Sequence, residues 1–135
     1  MSRGPQFLNP KSVVVIDDSA LCRRVAATGL TRAGYTVAEA GNVEEARLAI
    51  AREHPAFVIC DLVLGDKGSG MDVMTSIATM KNRPYCVAVT AMLNATIESD
   101  ALDAGFDIFF YKPYSIQFLV EIFAQTAFYP KRSLD

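Results

Sequence analysis

Five short apolar runs punctuate the chain. They are Ser12-Val13-Val14-Val15-Ile16, Tyr35 to Ala40, Ala56-Phe57-Val58-Ile59-Cys60-Asp61, Tyr85-Cys86-Val87-Ala88-Val89 and Asp107-Ile108-Phe109-Phe110-Tyr111. Runs this short, rich in β-branched and aromatic residues, predict strands buried on both faces. They are labelled β1 to β5 in order. Between them lie longer stretches with helical start and stop signals. Ser19 precedes a predicted helix from Ala20 to Ala33 (α1), with Gly34 as its stop. Asn42, with Glu45 three residues on, opens one that runs to Glu53 and is closed by His54-Pro55 (α2). A loop from Gly65 to Gly70 leads into Met71 to Met80 (α3). Asn94 opens a helix through Ala104, stopped by Gly105 (α4), and Ser115 opens the last, to Ala127 (α5).

Strands alternating with helices imply a parallel sheet with right-handed crossovers. Five such units predict an α/β, flavodoxin-like (βα)5 three-layer sandwich with strand order 2-1-3-4-5 and a crevice between β1 and β3. Residues 1–11 hold two prolines and a glycine and are expected to form a flexible arm. Residues 12–128 are expected to form one domain and 129–135 a tail, with no room for a second domain. The 135 residues are 51% hydrophobic and 21% charged, as in a compact soluble protein. The formal net charge of -2 gives no electrostatic footprint for nucleic acid. No apolar run nears the roughly 20 residues that span a bilayer, and no signal-peptide core is present. Three cysteines, Cys22, Cys60 and Cys86, lack metal-site spacing and read as reduced, packed thiols of a cytoplasmic protein.

Candidate chemistry stands at the strand ends. β1 runs into Asp17-Asp18, β3 into Asp61, β4 into Thr90 and β5 into Lys112-Pro113. In the predicted topology these ends share one edge of the sheet, where ligands bind. Each residue alone is an ordinary turn or cap residue; their coincidence at four strand ends is the specific signal. Three clustered carboxylates need a counter-charge. Mg²⁺ suits them, because it takes few carboxylates, keeps waters and accepts a phosphate oxygen. A carboxylate beside Mg²⁺ and Lys112 can act as a nucleophile toward phosphorus, with Thr90 donating to the transferring group.

With these residues the chain resembles the response-regulator receiver domain, the phosphoacceptor module of two-component signalling, over about Ser12 to Ala127. The resemblance rests on Asp17-Asp18, Asp61, Thr90-Ala91 and Lys112-Pro113. It implies that Asp61 is the phosphorylated residue. Asp18, Asp61 and the Val63 backbone carbonyl would bind Mg²⁺ directly, and Asp17 through metal-bound water. Thr90 and Lys112 would hold the phosphoryl group, with the backbone N–H groups of Leu62 and Ala91 contributing. Lys112-Pro113 would be cis. Thr90 and the aromatic Phe109 would form the switch: Thr90 moves toward the phosphate and Phe109 swings into the vacated space. Phe109 lacks the hydroxyl that a tyrosine would use to anchor an outward state; the plainer reading of Phe109 is a core residue. The protein would be a phosphoacceptor that assists its own phosphorylation and dephosphorylation, not an enzyme acting on other molecules.

The sequence departs from the family pattern after Asp61. Gly65 stands where a proline is usual, and Gly68-Ser69-Gly70 is one residue longer, so this loop is expected to be loose. Val63 and Met92, both apolar, flank the site and cannot orient a hydrolytic water, which predicts slow autodephosphorylation. On α5, Leu119, Phe123 and Ala127 are expected to face the sheet. Ile116, Val120, Ile122 and Phe128, with Tyr111 and Tyr129 nearby, then form an excess. That excess suggests an interface for a protein partner or homodimer on the α4-β5-α5 face. A wider buried arc, or the N-terminal arm folded over it, would also account for it. Arg23 and Arg24 lie beside the acidic site, where they would meet a sensor histidine kinase or histidine phosphotransfer protein, or simply be solvated.

Other readings fit less well. A haloacid-dehalogenase-like phosphatase needs a second carboxylate two residues after the first, where Ser19 stands behind adjacent Asp17 and Asp18. A flavin mononucleotide site needs a glycine- and hydroxyl-rich loop after β1, where Asp17-Asp18 would repel phosphate. His54, the sole histidine, lies at a helix end away from the strand tips. A receiver-like scaffold that takes no phosphate, a phosphate sink or relay, and a receiver cut from a hybrid kinase stay open at this point.

Overall fold

The computed structural model describes residues 8–126. Its elements are β1 (Asn9–Ile16), α1 (Ala20–Arg32), β2 (Thr36–Ala40), α2 (Val43–Glu53), β3 (Pro55–Asp61), α3 (Gly70–Ile77), β4 (Tyr85–Thr90), α4 (Ile97–Ala104), β5 (Ile108–Tyr111) and α5 (Ile116–Thr126), with a 3-10 turn at Gly65–Lys67. The five strands form one parallel sheet in the order β2-β1-β3-β4-β5, as the alternation predicts.

Alternate residues of each strand feed two separate cores, because successive side chains of a strand point to opposite faces. On one face Val13, Val15, Phe57, Ile59, Val87 and Val89 pack under α1 and α5, with Leu30, Leu119 and Phe123. Phe57 and Phe123 stack there with centroids 4.0 Å apart. On the other face Val14, Ile16, Val58, Cys60, Cys86 and Ala88 pack under α2, α3 and α4, with Ile50, Met74 and Ile77. Burial on both faces is why β1 and β3 read as continuous apolar runs. Cys60 and Cys86 are buried free thiols as expected, while Cys22 is exposed on α1.

Several boundaries differ from the sequence reading. β1 starts at Asn9, inside the expected arm, because the Asn9 N–H donates to the His54 carbonyl at 2.8 Å and pairs the polar segment with Pro55. Its first three residues are exposed, so no apolar run announces them. α4 starts at Ile97 after a turn in which the Asn94 side chain accepts from the Thr96 N–H, so Asn94 caps that turn and not the helix. α3 ends at Ile77, and Met80 closes an i→i−3 turn onto its carbonyl. The arm's first seven residues, Ala127, Phe128, Tyr129 and the tail lie outside the described residues.

The loop after β3, expected to be loose, carries defined contacts in this structure. Gly65 and Gly68 take positive φ values of 75° and 127°, which glycine adopts without strain. Val63 bridges Ser69 across the loop, and Ser69 and Asp72 form a reciprocal capping box at the start of α3. On α5, Ile116, Val120 and Ile122 are half-buried against the α1-side core, so among the described residues the buried arc is wider than the stripe of Leu119 and Phe123 alone. Tyr111 and Phe118 remain exposed on that side.

Candidate functional site

The sheet brings Asp17, Asp18, Asp61, Thr90 and Lys112 to its carboxyl edge. β1 and β3 are neighbours in register, Ile16 opposite Cys60, so the residues that follow them meet. Carboxylate oxygens of Asp17, Asp18 and Asp61 all lie within 4.8 Å of one another. Asp17 and Asp61 are buried and Asp18 is exposed. β5 ends one strand beyond Thr90, and the Lys112 N–H donates to the Thr90 carbonyl at 2.8 Å. The Lys112–Pro113 peptide is cis. The Lys112 Nζ reaches back across the edge to Asp17 Oδ2 at 2.6 Å and Asp61 Oδ2 at 2.8 Å.

Backbone N–H groups hold the second oxygens of Asp17 and Asp61 and the Thr90 hydroxyl. Asp61 Oδ1 accepts from the Val63 N–H at 2.9 Å, and Asp17 Oδ1 from the Ser19 N–H at 2.9 Å. Thr90 is fully buried; its Oγ1 accepts from the Met92 N–H at 3.0 Å, which leaves the hydroxyl proton free to donate elsewhere. The Leu62 N–H is spent on the Val89 carbonyl at 2.9 Å, so in this conformation it is not the free donor the resemblance implied. Gly65 leans over the cluster: a Cβ there would lie 3.4 Å from Asp18 Oδ2. Phe109 points into the α2/α3/α4-side core, buried, with its ring edge-on to Tyr111 at 4.9 Å.

Burial raises the Asp61 carboxyl above its ordinary value, opposed by the hydrogen bonds from Lys112 and Val63. Burial pulls the Lys112 ammonium down, but its bonds to Asp17 and Asp61 outweigh this and hold it well above the usual lysine range. The Tyr114 hydroxyl, buried near Asp17, is pushed up to about 12. Three carboxylates against one ammonium leave an excess of two negative charges in a partly desolvated pocket. The donors are all hard oxygens, so the set suits a divalent cation such as Mg²⁺.

Two features of the surroundings escape the sequence reading. Arg23 does not point outward toward a partner. Its guanidinium donates to the Asp17 carbonyl at 2.7 Å and pairs with Glu39 at 3.3 Å, while Arg24 pairs with the other Glu39 oxygen and stays mostly in solvent. Leu21 and Val25, four residues apart on α1, are 74% and 62% exposed. They line a groove of about 390 Å³ with Ala26, Pro113, Tyr114 and Ile116 that opens onto Asp17 and Lys112. Their i, i+4 spacing opposite Ala26 and Leu30 was the available signal.

Comparison with known proteins bears on the family and the fold. The profile of the family described as "Response regulator receiver domain" matches residues 13–124. "Probable transcriptional regulator ycf27" of Porphyridium aerugineum is 32% identical over 108 residues, covering 80% of this chain and 44% of that protein. "Transcriptional regulatory protein PdtaR" of Mycobacterium tuberculosis is 33% identical over 112 residues, covering 82% and 54%. The chain thus spans about half the length of the curated relatives it matches. Among solved structures, a CheY-like response regulator receiver domain protein from Methanospirillum hungatei JF-1 superposes with a TM-score of 0.76 at 21% identity, covering 86% of this chain and 92% of that one. A response regulator from Burkholderia pseudomallei, solved with a phosphorylated aspartic acid, a calcium ion and citrate, superposes at 0.73 with 27% identity, covering 87% and 74%.

Proposed function

The chain belongs to the response-regulator receiver family, and from that premise we propose that it accepts a phosphoryl group on Asp61 from the phosphohistidine of a sensor histidine kinase or histidine phosphotransfer protein. The observation that carries this is the Asp61 carboxylate itself: it ends β3, lies within 4.8 Å of two further carboxylates and is bridged by Lys112 at 2.8 Å. The likeness to a relative solved with a phosphorylated aspartic acid supports it.

Asp61 is the nucleophile. One of its oxygens forms the bond to phosphorus as the phosphorus–nitrogen bond to the donor imidazole breaks, and the imidazole recovers a proton. Lys112 neutralises charge on the phosphoryl oxygens, and Thr90 donates its free hydroxyl proton to one of them. Asp18, Asp61 and the Val63 carbonyl would hold Mg²⁺, with Asp17 acting through a bound water. When bound, the ion supplies Lewis-acid charge neutralisation on the transferring group. The exposed Leu21 and Val25 offer the donor an apolar seat beside the site.

Phosphorylation then draws Thr90 toward the phosphate and lets Phe109 change its packing, a two-state element biased by the new contacts. The α4-β5-α5 side, with exposed Tyr111 and Phe118, passes that change to a protein partner or a second copy. The setting we infer is the cytoplasm; no helix among the described residues is long and apolar enough to cross a membrane. The test is reductive trapping. After exposure to acetyl phosphate and Mg²⁺, borohydride should convert Asp61 alone to homoserine, read by peptide mass spectrometry. Conversion at another aspartate, or none, overturns the assignment.

A further inference from the structure

We propose that Arg23 is a positioning residue for the cation site: it sets the backbone from which Asp18 reaches the metal. The inference rests on the proposed Mg²⁺-dependent reading and deepens it. Asp18 is the exposed member of the acidic cluster, and no hydrogen bond among the described residues reaches its carboxylate. Its backbone therefore sets the position from which the carboxylate can reach a cation. The peptide that joins Asp17 to Asp18 is gripped at its carbonyl by the Arg23 guanidinium at 2.7 Å. The same guanidinium is fixed from the far side by Glu39 on β2 at 3.3 Å.

The surroundings are shaped for this bracket. The Arg23 side chain is only 20% exposed. A Cβ on Gly41 would lie 3.1 Å from its terminal nitrogen, so the chain after β2 leaves room for the guanidinium and no more. Arg23 stands in the first turn of α1, its N–H bonded to the Ser19 carbonyl, so the bracket ties the helix start to the ends of β1 and β2. A guanidinium can do this because it is planar, always charged and donates in two directions at once. Partners of metal ligands that act in this way typically change metal affinity by roughly 10–100-fold when removed.

Electrostatics and positioning predict opposite signs. Removing a positive charge near a cation site should tighten Mg²⁺ binding, whereas releasing the Asp17–Asp18 peptide should weaken it. The experiment is isothermal titration of Mg²⁺ into the unphosphorylated chain and into Arg23→Ala, Arg23→Lys and Arg24→Ala, each checked for folding by circular dichroism. We expect Arg23→Ala to weaken Mg²⁺ binding by roughly tenfold and Arg23→Lys, which keeps the charge but not the fork, by less. Arg24→Ala, which removes the other partner of Glu39, should leave the affinity within about twofold or tighten it. Affinity at or above that of the parent in folded Arg23→Ala overturns the inference; if that variant does not fold, the same result in Arg23→Lys does. Equal weakening by Arg23→Ala and Arg24→Ala also overturns it. A parent chain that binds no Mg²⁺ overturns the underlying reading of the site instead, and this inference with it.

Discussion

Gly70 shows how closely single residues are fitted around the proposed phosphoacceptor Asp61. A Cβ at this position would lie 2.8 Å from the Asp61 carbonyl oxygen and 3.1 Å from Leu62 Cα, both backbone atoms that cannot step aside. α3 therefore starts against the end of β3 because residue 70 has no side chain. Gly70→Ala is predicted to destabilise the fold by about 1–3 kcal/mol, as overpacking does, measured by urea denaturation; an unchanged midpoint would contradict the fit. Val63 and Met92 act differently. Both are partly exposed beside the site and neither can orient a water, so the acyl phosphate should persist for minutes or longer once the donor is removed. Decay within seconds, followed by intact mass, would refute this. The strand-end residues Asp17, Asp18, Asp61, Thr90 and Lys112 were legible in the sequence because each closes an apolar run. Arg23 was not, since its partners, the Asp17 carbonyl and Glu39, lie on other elements that only the folded topology brings near.

At the scale of elements, strands and helices were read from periodicity, and the misses fall where local hydrogen bonds decide. Asn94 carries a cap signal, but its side chain closes a turn onto Thr96 and delays α4 to Ile97. The connection from α4 to β5 depends on a contact without a sequence signature. Arg83 and Asp107 form a buried pair at 2.9 Å; Arg83 also donates to the Gly105 carbonyl at 3.0 Å, and Asp107 accepts from the Cys86 N–H at 2.7 Å. The pair thus fastens the stop of α4 to the start of β4. Asp107→Ala would leave a buried guanidinium unpaired and is predicted to cost about 3–5 kcal/mol. Chemical denaturation checks this, and a loss below about 1 kcal/mol, the scale of an exposed pair, would show that the contact is not structural.

At the scale of the whole molecule, two cores clamp one sheet and leave its carboxyl edge as the place where charge gathers. Strand order was legible because alternating β and α units admit few right-handed arrangements. The outward face of α1 was not, because exposure is settled by how the helices pack around the sheet. On the proposed reading, the acidic edge makes stability depend on a bound cation. Mg²⁺ at about 100 times its dissociation constant should stabilise the fold by about 2.7 kcal/mol, seen as a rise in Tm that EDTA reverses; a Tm indifferent to Mg²⁺ would contradict the site. The central claim, that Asp61 takes a phosphoryl group in a cation-dependent reaction, is tested most directly by intact-mass spectrometry after incubation with acetyl phosphate and Mg²⁺. The prediction is one added phosphoryl group on the parent chain, absent from Asp61→Asn and absent when EDTA replaces Mg²⁺. An adduct that survives in Asp61→Asn or in EDTA, or no adduct on the parent with either acetyl phosphate or a phosphohistidine donor, would contradict it.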